Sequence, residues 1–269
     1  TMQTFYGNMP TLPTSSYSVA PAGLIAPYWS YYGSYYCYQN SGADCGVFYR
    51  TMPFEGKGTD VTSDITSDTT WDITDSPIRI NPASDYLTIS ADLTIEPGTV
   101  IQVGAGKGIS FDGACDKMTI NGNSTDHVLF EGFGGAEWKG MAFTGACTAS
   151  TDNRHVFSYV DFKNTTDAAI AAGSRHGSSP ISNANVGNFT MDHVTFTNVG
   201  AAFEHGSGQG TVLSMTEFSV DGTDSSCFDF AEDTEATLTE GTIANCNLDG
   251  GANDGAIVNV AGSTAGSLF

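Results

Sequence analysis

Five histidines, His127, His155, His176, His193 and His205, and a handful of arginines carry most of the chemistry that this sequence could offer. A polysaccharide hydrolase needs paired carboxylates as acid and base. The nearest fragments are Asn164-Thr-Thr-Asp167 and Arg175-His176-Gly177, and no Asp-Asp pair occurs. A lyase that uses arginine as base beside calcium-binding aspartates needs an acidic cluster next to the arginine. After Arg79 the only arginines are Arg154 and Arg175, and neither has such a neighbour. No Gly-x-Ser-x-Gly elbow is present, so nucleophilic serine chemistry has no site. Gly104-Ala-Gly-Lys-Gly108 follows one apolar run and leads into another, without the helix N-terminus that a phosphate loop requires. A lone histidine at a strand edge is more often a satisfied structural residue than a ligand. No catalytic residue is assigned on this basis.

The acidic residues offer a different chemistry. Asp60, Asp64, Asp68 and Asp72 recur every four residues in TDVTSDITSDTTWDITD. Carboxylates and turn carbonyls are hard oxygen ligands, which makes calcium the one cofactor weighed. The stretch lacks the glycine and terminal glutamate of an EF-hand loop. It is also too rich in Thr and Val for a helix that would stack the four side chains. The whole chain has 9 Lys+Arg against 30 Asp+Glu, a formal net charge of -21. A surface of that sign repels phosphate backbones and anionic bilayers, so nucleic acid and membrane insertion are not expected.

Six cysteines, Cys37, Cys45, Cys115, Cys147, Cys227 and Cys246, contain no CxxC motif, which disfavours zinc and thioredoxin-like readings. Their neighbouring order suggests the pairs Cys37–Cys45, Cys115–Cys147 and Cys227–Cys246, while six buried thiols stay open as the alternative. Three sequons, at Asn123, Asn164 and Asn188, are glycosylation candidates. Disulfides and sequons together point to a secreted or cell-surface protein. No run of about 20 apolar residues appears, and the chain reads as a piece of a longer polypeptide.

The elements that would carry these residues are strands. Charged residues make up 14% of the chain, against about 25% in an average soluble domain. Its polar surface must come from Ser, Thr, Asn and Gly, which favour strands and turns over helices. Residues 1–57 stand apart as a small aromatic-rich β module. Nine of the 11 tyrosines precede residue 50. Within it, Tyr28, Trp29, Tyr31, Tyr32, Tyr35 and Tyr36 are interface candidates, since Tyr and Trp are enriched at interfaces; a small β core is the competing use. From residue 58 to 269 the chain is a series of short alternating runs between Gly/Asp/Asn turns: Tyr86–Ile89, Leu93–Ile95, Val100–Val103, Gly108–Phe111, Met118–Ile120, His127–Phe130 and Trp138–Phe143. Val160-Asp-Phe162-Lys-Asn164 is echoed by Val194-Thr-Phe196-Thr-Asn198, and Glu217–Gly222 by Asn245–Gly250. Phe162 is followed at intervals of 34, 22 and 28 residues by Phe196, Phe218 and Cys246, within the periods that mark solenoids.

Leu93-Thr-Ile-Glu-Pro-Gly98, then Gly106–Gly113, His127–Gly132 and Trp138–Phe143, resemble the opening rungs of right-handed parallel β-helix domains in large bacterial or archaeal surface proteins. The resemblance is best over residues 69–143. It implies inward Leu, Ile, Val and Phe stacked rung on rung and Trp138 covering one face; Cys115 and Cys147 depart from that pattern, and their place beside the rung turns suggests a staple between adjacent coils. Gly23-Leu-Ile-Ala-Pro-Tyr-Trp29 and Val47–Thr51 resemble nidogen-like extracellular modules, with Ser30 where an acidic residue usually follows the Trp. The chain is therefore expected to be all-β, a small aromatic-rich module followed by a parallel β-helix. Its expected role is non-catalytic: an S-layer, sheath, filament or adhesin segment that associates with itself. The alternatives are a polysaccharide lyase or glycoside hydrolase, and a non-catalytic glycan-binding module.

Overall fold

The computed structural model describes residues 58–112, 115–145, 153–172, 187–205, 211–231, 234–246 and 258–261. All of these but Gly58 belong to a unit that begins at Thr59. Alternation of apolar and polar residues over three to six positions gives strands with one face buried. Strands this short cannot bury a core alone and must stack. Among the described residues they number twenty, labelled in chain order, and fall into three lines.

Line one contains β1 (Thr59–Val61), β3 (Ile78–Ile80), β6 (Val100–Val103), β9 (Val128–Gly132), the second halves of β11 (Asn153–Lys163) and β13 (Asn188–Val199), then β16 (Ser219–Thr223) and β19 (Thr242–Ala244). Line two contains β4 (Tyr86–Ile89), β7 (Gly108–Phe111), β10 (Met141–Phe143), β12 (Ala168–Ala172), β14 (Ala201–His205), β17 (Phe228–Ala231) and β20 (Val258–Ala261). Line three contains β2 (Thr69–Trp71), β5 (Leu93–Ile95), β8 (Met118–Asn121), the first halves of β11 and β13, then β15 (Thr211–Thr216) and β18 (Thr234–Thr239). The chain visits line one, line two and line three in turn and then returns to line one. Each strand pairs in parallel with its equivalents one circuit before and after. Because β11 and β13 run through lines three and one, these merge into a 13-stranded sheet, and line two is a separate 7-stranded sheet. The chain is thus all-β with long parallel sheets, compatible with a parallel β-solenoid. Apart from strands, the described residues hold a single turn of 3-10 helix at Phe133–Gly135.

Parallel register places like side chains above one another, and these columns are the core. In line one, Phe130, Phe162 and Phe196 are in register and stack at 5.1 and 5.4 Å between ring centroids. All three are fully buried. Each such ring contributes about 1.5–3 kcal/mol from burial, and each stacked pair about 0.5–1.5 kcal/mol more. In line two the column runs Leu87, Ile109, Met141, Ile170, Phe203, Phe228. In line three it runs Ile95, Ile120, Phe157, Met191, Met215, Leu238.

Several expectations meet the structure here. The runs at 86–89, 93–95, 100–103 and 108–111 coincide with β4 to β7. The echo of Val160 and Phe162 in Val194 and Phe196 is a true register. The echo of Glu217–Gly222 in Asn245–Gly250 is not. Val220 pairs with Ile243, which places Asn245 beside Thr223 rather than Glu217. Neither Phe218 nor Cys246 continues the Phe162 column; Val220 and Ile243 do. Trp138 lies inside rather than over a face. It is fully buried against Phe130, and its indole N–H donates to the Lys163 carbonyl at 2.8 Å, because a buried indole must find an acceptor.

Candidate functional site

The structure disperses the four aspartates of the early stretch. Four-residue spacing in this extended chain carries them past successive corners, not along one side. Asp64 accepts from the Thr88 backbone N–H at 2.9 Å, and Asp68 from that of Asp92 at 3.2 Å. Asp60 lies 3.7 Å from the Arg79 guanidinium. Asp72 accepts from the Thr74 hydroxyl and N–H, bonds that favour the ionised form and lower its carboxyl pKa. Two of the four thus satisfy N–H groups of the next circuit, Thr88 within β4 and Asp92 just before β5. Among the described residues no group of three or more His, Cys, Asp or Glu is arranged to hold a metal ion.

The remaining candidates fall as follows. Cys227 and Cys246 form a disulfide, and Cys115 is also disulfide-bonded, to a partner outside the described residues. Cys37, Cys45, Cys147, Tyr28, Trp29, Tyr31, Tyr32, Tyr35 and Tyr36 lie outside the described residues, as do Arg175, His176 and the Arg154 side chain. Asn123 is half-buried, and its side-chain oxygen accepts from Thr125 and Asp126 within its own turn. Asn164 sits at a corner with φ 57°, and Asn188 opens β13. Two histidines are core residues: His155 accepts from the Met118 N–H, and His205 is bonded to Thr211 and Thr234.

Three polar features stand on the outside of the stack. The first is a ladder at the corner between lines three and one. Tyr159, His193, Glu217 and Glu240 are each in the left-handed region, with φ between 50° and 56°, and each turns the chain in a single step. The Tyr159 and His193 rings stack at 4.2 Å. His193 Nε2 lies 2.6 Å from a Glu217 carboxylate oxygen. An Asp192 oxygen lies 3.1 Å from Nδ1, an ion-pair approach without hydrogen-bond geometry. His127 leans on the other side of Tyr159 and reaches Asp161 at 3.3 Å. Residue-by-residue inspection missed this ladder, since its members are far apart in sequence. Its signal was the Val160/Val194 echo, which puts the residues just before each of them in register.

The second feature is on line two. Glu204 and Asp229 are partners across β14 and β17. Burial, then the charges of Asp229 and Asp167, raise the Glu204 carboxyl above its ordinary value. A carboxyl whose pKa is raised by burial and neighbouring charge is the kind of group that general acids are drawn from.

The third is a groove beside line one, about 320 Å3, lined by Asp60, Thr62, Arg79, Asn81, Gln102 and Phe133, with Ile80 and Gly104 between them. Asp60, Arg79 and Gln102 are register partners on β1, β3 and β6. The Gln102 amide is oriented by a hydrogen bond of 3.0 Å to Glu131. Phe133 is 56% exposed, the most of any large apolar residue described.

Among the described residues no helix is long and apolar enough to cross a membrane. No protein-family model matches the chain, and no curated protein or solved structure matches it either.

Proposed function

We propose that the chain is a segment of an extracellular, self-assembling structural protein, such as an S-layer, sheath, filament or adhesin, and that residues 58–269 form a right-handed parallel β-helix. The observation that supports this reading is a parallel stack in which each circuit offers its strand ladder to the next. β18 pairs with β15 and β19 with β16, and neither has a partner on its far side among the described residues. The inward residues of that circuit, Ala236, Leu238 and Ile243, are only partly buried. A strand ladder of this kind can take up a further strand layer, and a second copy of the chain can supply one. The disulfide supports an oxidising compartment. Sedimentation and light scattering over a concentration series, with and without calcium, test the proposal. The expected result is concentration-dependent growth into large species. A monodisperse monomer throughout, calcium included, refutes it.

A second reading, a polysaccharide hydrolase or lyase, draws on the raised carboxyl of Glu204 beside Asp229. Release of reducing ends or of unsaturated products from acidic polysaccharides, abolished by Glu204→Gln, favours it over the first.

A further inference from the structure

We infer that the groove beside β1, β3 and β6 is a binding subsite for a neutral glycan. The residue types match what a sugar presents. A pyranose has an apolar face of C–H groups and a rim of hydroxyls that both donate and accept. The groove supplies an aromatic ring for the first, and a carboxylate, a guanidinium and two carboxamides for the second. Asp60, Arg79 and Gln102 follow one another in register, so their polar ends repeat at the strand spacing of about 4.8 Å along the stack. A row of groups on rigid strands is positioned more firmly than the same groups on loops.

Phe133 is the residue that the fold itself does not explain. The other described phenylalanines are buried, whereas this one faces solvent at 56% exposure. It is presented by the 3-10 turn Phe133–Gly135, where Gly134 and Gly135 hold φ of 66° and 79°. Gly104 has a matching role. A Cβ there would stand 2.7 Å from the Asn81 side-chain oxygen, so glycine leaves that carboxamide its place in the groove.

Charge selects the class of sugar. Arg79 is offset by Asp60 at 3.7 Å, and Gln102 is held by the Glu131 carboxylate, so the groove has no cationic excess. The chain as a whole carries a formal charge of -21 and repels polyanions at long range. Uronic-acid and sulfated polymers are therefore disfavoured, and neutral hexose or N-acetylhexosamine units fit. A space of about 320 Å3 is at the small end of ligand pockets and suits one or two sugar rings.

Saturation-transfer NMR on the full chain tests this with cello-, manno-, galacto- and chito-oligosaccharides as probes and oligogalacturonate as the anionic control. At least one neutral series should show transfer, strongest at ring C–H protons. Phe133→Ala should weaken that binding by about tenfold, and Gln102→Ala should weaken it too. Phe133→Tyr should retain it. Circular dichroism should be unchanged in all three variants, since none removes a buried side chain. Failure of every neutral probe, a preference for oligogalacturonate, or binding indifferent to Phe133→Ala would overturn the inference.

Discussion

The first circuits of the stack and the later ones turn the same corner in different ways. Between line three and line one, the early chain uses segments of several residues: from Trp71 to Ile78, from Ile95 to Val100 and from Asn121 to Val128. The second contains Pro97-Gly98, with Gly98 at φ 75°. The later chain makes that turn on one left-handed residue, Tyr159 or His193 within a continuous strand, and Glu217 or Glu240 at a strand end. A non-glycine residue in the left-handed region costs about 1 kcal/mol. The later circuits meet that cost with stacked Phe130, Phe162 and Phe196 beneath, and with the Tyr159–His193–Glu217 ladder outside. Early corners are thus set by local turn chemistry, and late corners by the packing around them.

Four perturbations would break or sharpen that contrast. The largest effect is expected from Phe162→Ala, which empties the middle of the aromatic column. A loss of about 3–5 kcal/mol, read by urea unfolding, should destabilise the later circuits first. Replacing Cys227 and Cys246 together by Ala removes a cross-link of sequence separation 19, for which loop-closure entropy gives about 3 kcal/mol. Hydrogen exchange should show that loss around β16 to β19 and little change at β4 to β7.

Corner substitutions should have opposite signs in the two regions. Gly98→Ala forces a Cβ into a positive-φ position, 3.2 Å from the Ile73 side chain, and should cost about 1 kcal/mol. Glu240→Gly, at an exposed late corner with φ 56°, should relieve strain and gain up to about 1 kcal/mol. Thermal unfolding of the two variants measures both. A loss at Glu240 as large as that at Gly98 would dissolve the distinction.

The smallest effect concerns pH. Glu204 has a folded-state value above the ordinary 4.5, through burial and then Asp229 and Asp167. Below the unfolded value the carboxyl is protonated in both states and burial exacts no charge penalty. As pH rises through the folded value, the folded state must hold a charge that its surroundings disfavour, and stability falls. Glu204→Gln should therefore raise the melting temperature slightly at about pH 7 and lose that advantage at about pH 4. An equal gain at both pH values would mean that charge is not the cause.

The same contrast explains what the sequence made legible. Strands β4 to β7 were readable to the residue because each is bounded by a turn with its own signature, such as Pro97-Gly98 or Gly104–Lys107. The later register was readable only where it repeats an aromatic, as in Phe162 and Phe196. It slipped at Phe218 and Cys246, because Val220 and Ile243 carry the column onward with no distinguishing residue type. The corner ladder stayed hidden for a related reason: Tyr, His and Glu in the left-handed region announce no turn. The acidic repeat is a different case. Its regular spacing looks like a ligand set, but the coil carries Asp60, Asp64, Asp68 and Asp72 to separate places. The groove with Phe133 depends on β1, β3 and β6 lying side by side, which no local pattern encodes.

Electron cryo-microscopy of the native material tests the central proposal, a stack that continues into neighbouring copies, most directly. The account predicts filaments or sheets in which strand layers follow one another at about 4.8 Å through the contacts between subunits. Isolated particles at every concentration, with calcium present or absent, would contradict it.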